Sequence, residues 1–255
     1  MSVTEERGVA RPRSERLRAQ AARHVPALAV GGIAVALMLT WAAKNGGYDN
    51  TTWYWGALTL LGVFGCVTIL RYRRPLSRPT LVALGALSTY VAWSYLSIAW
   101  AQAPGTALEG SSRALMYLLM FALLTTIPWT DRAAAIVLVT CVGGIGVIAV
   151  VLLVRFASAT GLSHLLLQGR LLAPTGYVNS NAALFTLTAL MSVALGSRRE
   201  LPGLVRGFLL STGCASLQLA VMAQSRGWLF TLPVVLLVTI CVVRDRLRFI
   251  AFAVL

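Results

Sequence analysis

The chain has 255 residues, of which 58% are hydrophobic and only 12% charged, with a mean hydropathy of +0.77. A soluble domain carries about a quarter charged residues, so this composition excludes a water-soluble fold and points to a bilayer as the solvent. The net charge of +14 would suit a nucleic-acid binder, but the charges sit between long apolar runs, which makes them topology signals and excludes nucleic acid as the partner.

Residues 1–24 form a polar tail carrying Arg7, Arg11, Arg13, Arg16, Arg18 and Arg23. The first apolar run, 25–43, is long enough to span a membrane and reads as an uncleaved helix rather than a signal peptide, whose apolar core is shorter. Further runs follow at 52–70, 80–100, 113–128, 133–154, 181–196, 204–222 and 228–243. The runs at 113–128 and 181–196 are short, and flanking residues or local bilayer thinning accommodate such spans. The last apolar stretch, 247–255, is too short to cross and reads as the start of a ninth span, so the sequence predicts a chain truncated at its C-terminus. The expected fold is an all-α, polytopic transmembrane helix bundle of about eight complete spans. Its domains are a basic cytoplasmic tail, 1–24, and a helical membrane domain, 25–255.

Eight spans sort the connections onto two sides. One side holds the tail, 71–79, 129–132, 197–206 and 244–248, with 17 of the 22 basic residues; the other holds only Lys44, Arg113, Arg155, Arg170 and Arg226. Basic residues are retained in the cytoplasm, which predicts a cytoplasmic N-terminus. The same Arg tracts suit anionic membrane lipids as partners. Trp41, Tyr48, Trp53, Tyr54, Trp55, Trp100 and Trp228 gather at the outer ends of spans and Trp129 at an inner one, the pattern of interfacial anchors. Cys66, Cys141, Cys214 and Cys241 each lie in an apolar run without a neighbouring Cys or His, and read as small buried packing residues rather than metal ligands or disulfides. The Gly143-Gly144-Ile145-Gly146 run lies mid-span and reads as helix packing.

The informative connection is the outer segment 155–181. Its stretch Leu162–Leu172 is apolar, too short to span, and suits an interfacial or re-entrant helix that Pro174 and Gly176 break. His164 within it has the chemistry of a general base, although a lone interfacial His is more often structural. Three outer arginines fall near the expected N-termini of outward-to-inward helices. Arg113 opens the fourth span and Arg226 the eighth, while Arg170 lies just before Asn179 and Asn181, which open the sixth. A cation at a positive helix terminus is unfavourable alone and becomes favourable once an anion is bound. Arg adds bidentate pairing to phosphate oxygens. The candidate ligand is a phosphorylated lipid. For any one of these arginines alone, snorkelling to lipid phosphates is the stronger reading; their clustering beside a long polar connection favours a site, and Glu109 is a candidate neutralising partner for Arg113.

Gly169-Arg170 through Asn179-Ser-Asn181, Ser225-Arg226-Gly227, and Trp100-Ala-Gln-Ala-Pro104 followed by Arg113-Ala-Leu-Met-Tyr117 together resemble the O-antigen ligase and O-antigen polymerase family of bacterial polytopic membrane proteins. The resemblance implies a fold similar to GT-C glycosyltransferases, no metal and no cofactor. It implies transfer of a glycan from a polyprenyl-diphosphate carrier to an acceptor hydroxyl at the outer face of the bacterial cytoplasmic (inner) membrane. Arg170 and Arg226 would bind the diphosphate, with Arg113, Asn179 and Asn181 beside them. The family also carries a late outer loop with a His that activates the acceptor; 1–255 has no such loop, so the expectation is a donor-binding half with no assigned catalytic residue. The alternative is a non-catalytic membrane protein, a transport or carrier-binding component of envelope glycan export. A third is a multi-span protein whose outer arginines only anchor it.

Overall fold

The computed structural model describes residues 13–158, 162–243 and 245–254. The expectations placed on Arg7, Arg11 and Arg244 lie outside them. The long helices are α1 (Arg13–Ala43), α2 (Asn50–Ile69), α3 (Arg78–Leu96), α4 (Pro104–Thr126) and α5 (Asp131–Ala157). Then come α6 (Leu162–Leu165), β1 (Leu166–Leu167), β2 (Arg170–Leu171), α7 (Val178–Gly196), α8 (Gly203–Met222), α9 (Arg226–Val242) and α10 (Arg246–Val254). The protein is an all-α bundle in which seven helices are long and apolar enough to cross a membrane. With α9 it reaches the expected eight runs, but α9 has 17 residues, fewer than the roughly 20 that a full crossing needs.

The helices start where side chains can satisfy their first free N–H groups. Ser77 accepts from Thr80 N, Thr130 from Ala133 N and Ser225 from Trp228 N, each an N-cap. The structure lengthens the short runs at their polar ends. Helix α4 begins at Pro104, so Arg113 lies in its third turn and not at its N-terminus, and Ser111 closes on the Ala107 carbonyl at 2.8 Å. Helix α1 begins at Arg13, so the polar tail is in part helical.

Two larger apolar cores hold the bundle, beside a smaller one of Val142, Leu195 and Leu209 between α5, α7 and α8. One lies between α1, α2 and α4, around Val30, Leu60, Met116 and Leu123. The other joins α1, α5, α7 and α8, around Ile145, Phe185 and Leu219. Small residues bring the second set together: a Cβ on Gly213 would stand 3.2 Å from Ser192 Cβ, and one on Gly196 would stand 3.0 Å from Leu210 Cδ2. With lipid outside, such close backbone packing replaces the hydrophobic drive available in water. Gly143 and Gly144 face Phe208 and Leu39 in the same manner.

The cysteines divide. Cys141 is buried, but Cys66, Cys214 and Cys241 are exposed on the helix surface and all four are free thiols, so the expected burial fails for three of them. In a membrane bundle the outer surface is as apolar as the core, and hydrophobicity alone does not tell them apart. The aromatic residues are more than anchors as well. Trp55 and Trp100 are exposed, whereas Trp53 is buried and donates to Asn50 Oδ1 at 3.0 Å, and Trp129 donates to the Leu124 carbonyl.

Contacts separate two ends. At the basic end, Arg74 N and Nε donate to the Thr126 and Thr125 carbonyls, His24 Nδ1 lies 2.7 Å from Thr130 Oγ1, and Arg206 Nε donates to the Gly196 carbonyl. At the opposite end the 44–49 connection, the β-hairpin and the N-termini of α7 and α9 meet.

Candidate functional site

The hairpin replaces the helix expected over Leu162–Leu172. One helical turn ends at Leu165, and β1 then pairs with β2 in the register Leu166↔Leu171 and Leu167↔Arg170. The turn residues Gln168 and Gly169 have φ of 51° and 77°, the two positive φ values of a two-residue hairpin turn. Such values interrupt a right-handed helix, whatever the apolar content around them. Leu165 and Leu171 are buried in the α5–α7–α8 core, and this pins the hairpin to the bundle. Side chains alternate along a strand, so with Leu171 pointing in, Arg170 points to the other face.

Asn181 holds the chain that follows. It is fully buried; Nδ2 donates to the Leu171 and Leu172 carbonyls at 3.0 and 2.7 Å, and Oδ1 accepts from Thr175 N and Thr175 Oγ1 at 3.2 and 2.8 Å. All its main hydrogen-bonding positions are occupied by the loop. It fastens Arg170's strand to α7 and has nothing left for a ligand.

Asn179 makes a different link. Its Oδ1 accepts from Ser225 Oγ at 2.8 Å, and its Nδ2 donates to the Tyr177 hydroxyl at 2.7 Å. Ser225 is buried and at the same time caps α9. Trp228, one turn further, donates from Nε1 to Thr186 Oγ1 at 2.6 Å. The N-termini of α7 and α9 are therefore tied together, and Arg226, the first residue of α9, stands beside Asn179.

These elements enclose a cavity of about 510 Å³ lined by Arg170, Tyr177, Asn179, Ser225, Arg226 and Gly227, among others. It contains two arginines and no acidic residue. Neither guanidinium has a hydrogen-bond or ion-pair partner among the described residues. Arg170 is half-buried and Arg226 exposed. Two unpaired cations and the free N–H groups at the start of α9 make a place for an anion with several oxygens.

Arg113 is elsewhere. Its Nη2 donates to Glu109 Oε1 at 2.5 Å and to the Tyr48 carbonyl at 2.7 Å, and the guanidinium lies over the rings of Tyr48 and Trp53 at 4.6 and 5.5 Å. The expected neutralising role of Glu109 is observed, and Arg113 does not join Arg170 and Arg226. His164 is exposed and lines none of the cavities described here.

Two further cavities adjoin the basic one. A groove of about 350 Å³ shares Asn179, Ser225 and Gly227 with it, and runs between α7 and α9 past Ala183, Leu187, Leu232 and Val235. A larger cavity of about 830 Å³ shares Leu172, Gly176 and Tyr177 with it, and opens toward the 44–49 connection. Sequence reasoning missed this second cavity and the roles of Tyr177, Ser225 and Trp228. A Ser directly before an apolar helix was a legible N-cap signal; its bond to Asn179, 46 residues away, was not. Comparison of the chain with protein-family models, with curated proteins and with solved structures gives no match to any of them.

Proposed function

We propose that this chain holds the donor-binding half of a multi-pass membrane glycosyltransferase, similar to the O-antigen ligases, that takes a glycan from a polyprenyl-diphosphate carrier at the outer face of the bacterial cytoplasmic membrane, with its N-terminus in the cytoplasm. The observation that carries the reading is the unpaired Arg170 and Arg226 in one cavity that holds no acid. The excess of basic residues at the opposite end supports the orientation. The groove between α7 and α9 supports a lipid-linked anion over a free one: it shares Asn179, Ser225 and Gly227 with the basic cavity and is lined mainly by apolar side chains of the two helices, as an isoprenoid tail requires.

In the proposed reaction the bond between the anomeric carbon and the diphosphate oxygen breaks while the acceptor hydroxyl oxygen bonds to that carbon. The hydroxyl proton passes to a base that no described residue is assigned to be. The diphosphate leaves with added negative charge. Fixed guanidinium groups in a low-dielectric setting stabilise that charge without reorganising. Asn179 and Ser225 are positioning residues in this account, since they hold α7 and α9 together at the site.

The test is glycan transfer in membranes containing the full chain, with Arg170→Ala and Arg226→Ala as variants and membrane insertion measured in parallel. The account predicts transfer that depends on the parent chain and falls about 100-fold in each variant, with insertion unchanged. Carrier binding without transfer in the parent would establish the alternative of a carrier-binding subunit. Transfer unaffected by either substitution would reduce both arginines to anchors.

A further inference from the structure

The 830 Å³ cavity beside the basic site has its own chemistry. Its walls include Trp41, Tyr48, Asp49, Thr175, Tyr177 and Ser180. It has a carboxylate and no cation, the reverse of its neighbour. Asp49 occupies the N-cap of α2, yet its side chain makes no capping bond. Among the described residues, the Asp49 carboxylate, the Asn45 amide and the Tyr48 hydroxyl have no hydrogen-bond partner. Tyr48 and Tyr177 are 72% and 59% exposed, so the Tyr177 ring and the Tyr48 face turned away from Arg113 are open to a ligand along with the polar groups.

The cavity is a seam between two connections that are distant in sequence. A Cβ on Gly46, whose φ is 67°, would stand 3.0 Å from the Thr175 carbonyl oxygen, and one on Gly176 would stand 3.5 Å from Asn45 Cβ. The 44–49 connection is thus docked against the loop that Asn181 fastens. Arg113 also holds this connection through the Tyr48 carbonyl. The open carboxylate and aromatic rings are presented on a supported frame rather than on a loose loop.

A carboxylate repels phosphate but accepts hydrogen bonds from vicinal hydroxyls, with the strength of a charge-assisted bond. Exposed Tyr rings offer flat apolar faces with a polar edge, matching a pyranose, which has a C–H face and a rim of hydroxyls. The three adjoining cavities therefore follow one order of chemistry: apolar groove, paired cations, then aromatic rings with a carboxylate. A lipid-diphosphate-sugar has the same order along its length.

We propose that the cavity between the 44–49 and 172–180 connections is a carbohydrate subsite that binds the first sugars attached to the diphosphate, with the Asp49 carboxylate and the Tyr48 hydroxyl hydrogen-bonding to sugar hydroxyls and the Tyr177 ring packing against a sugar ring face. This rests on the reading of Arg170 and Arg226 as the diphosphate site.

The experiment measures binding of the full chain, in lipid nanodiscs, to a polyprenyl diphosphate and to the same lipid bearing a hexose, an N-acetylhexosamine or a 6-deoxyhexose. The parent is expected to bind at least one glycosylated lipid about tenfold more tightly than the bare one. Asp49→Asn, which keeps the side-chain shape, and Tyr48→Phe, which keeps the ring over Arg113, are each expected to cut that preference about fivefold and leave the bare lipid unaffected. Equal binding of all four lipids by the parent overturns the subsite and leaves the diphosphate site standing. A preference untouched by both variants overturns its placement here. Binding of none of the four removes the diphosphate site and the subsite together.

Discussion

Arg113 and the pair Arg170 and Arg226 lie at the same end of the bundle, and their surroundings are opposite in kind. Arg113 is enclosed by a carboxylate, a carbonyl and two aromatic rings. Its charge is used inside the protein, where it ties α4 to the 44–49 connection. Arg170 and Arg226 face a cavity with no acid and no partner for either. Arg170 is half-buried and Arg226 exposed, so both guanidinium groups remain free to pair with a bound anion. The contrast separates an arginine that builds the fold from arginines kept ready for a ligand, although all three looked alike as outer arginines near helix starts.

Substitutions can break or sharpen that contrast. The largest effect on ligand binding is expected from Arg226→Ala or Arg170→Ala, each weakening a polyprenyl diphosphate about 30-fold or more in a direct binding assay, with thermal stability unchanged. Lys at either position should recover only part of the loss, because an ammonium lacks the bidentate fork. Asn181→Ala comes next and acts on the fold. It leaves buried carbonyls and the Thr175 N–H without partners and should destabilise the protein by about 2–3 kcal/mol in thermal or denaturant unfolding. It should also weaken the lipid diphosphate severalfold by releasing the strand that carries Arg170. Arg113→Ala should cost about 1–2 kcal/mol of stability through the lost cation–π and carbonyl contacts, with no change in affinity for the bare lipid diphosphate. The smallest change is Ser225→Ala, which removes a cap and the bond to Asn179 for about 1 kcal/mol and a two- to threefold loss of binding. A fall in affinity with Arg113→Ala as large as with Arg226→Ala would erase the contrast.

Much of the bundle was legible because its signals are local. Apolar runs between basic connections marked α1 to α5 and α7 to α9, and Gly143 and Gly144 read correctly as packing residues. Residues that turn on neighbours distant in the chain were not legible. Leu162–Leu172 has the composition of a short helix, yet Gln168-Gly169 in a two-residue turn and the burial of Leu165 and Leu171 make it a hairpin. A Gln-Gly pair between Leu166-Leu167 and Arg170-Leu171 was the available signal. Arg113 was assigned to a helix start because the polar stretch from Pro104 to Ser112 was read as a loop, whereas its side chains close onto their own helix. Asn179 and Asn181 share one motif but divide in role, one tying helix ends and the other a loop. Only the tertiary partners separate them.

The most direct measurement is a double-mutant cycle on polyprenyl-diphosphate affinity, in lipid nanodiscs, for Arg170→Ala with Arg226→Ala and, as the control pair, Arg226→Ala with Arg113→Ala. Two arginines holding one diphosphate should be coupled, with the double variant departing from additivity by about 1 kcal/mol or more, while the control pair adds simply. Strong binding by the parent that none of the three substitutions alters would contradict the central claim that Arg170 and Arg226 form the diphosphate site.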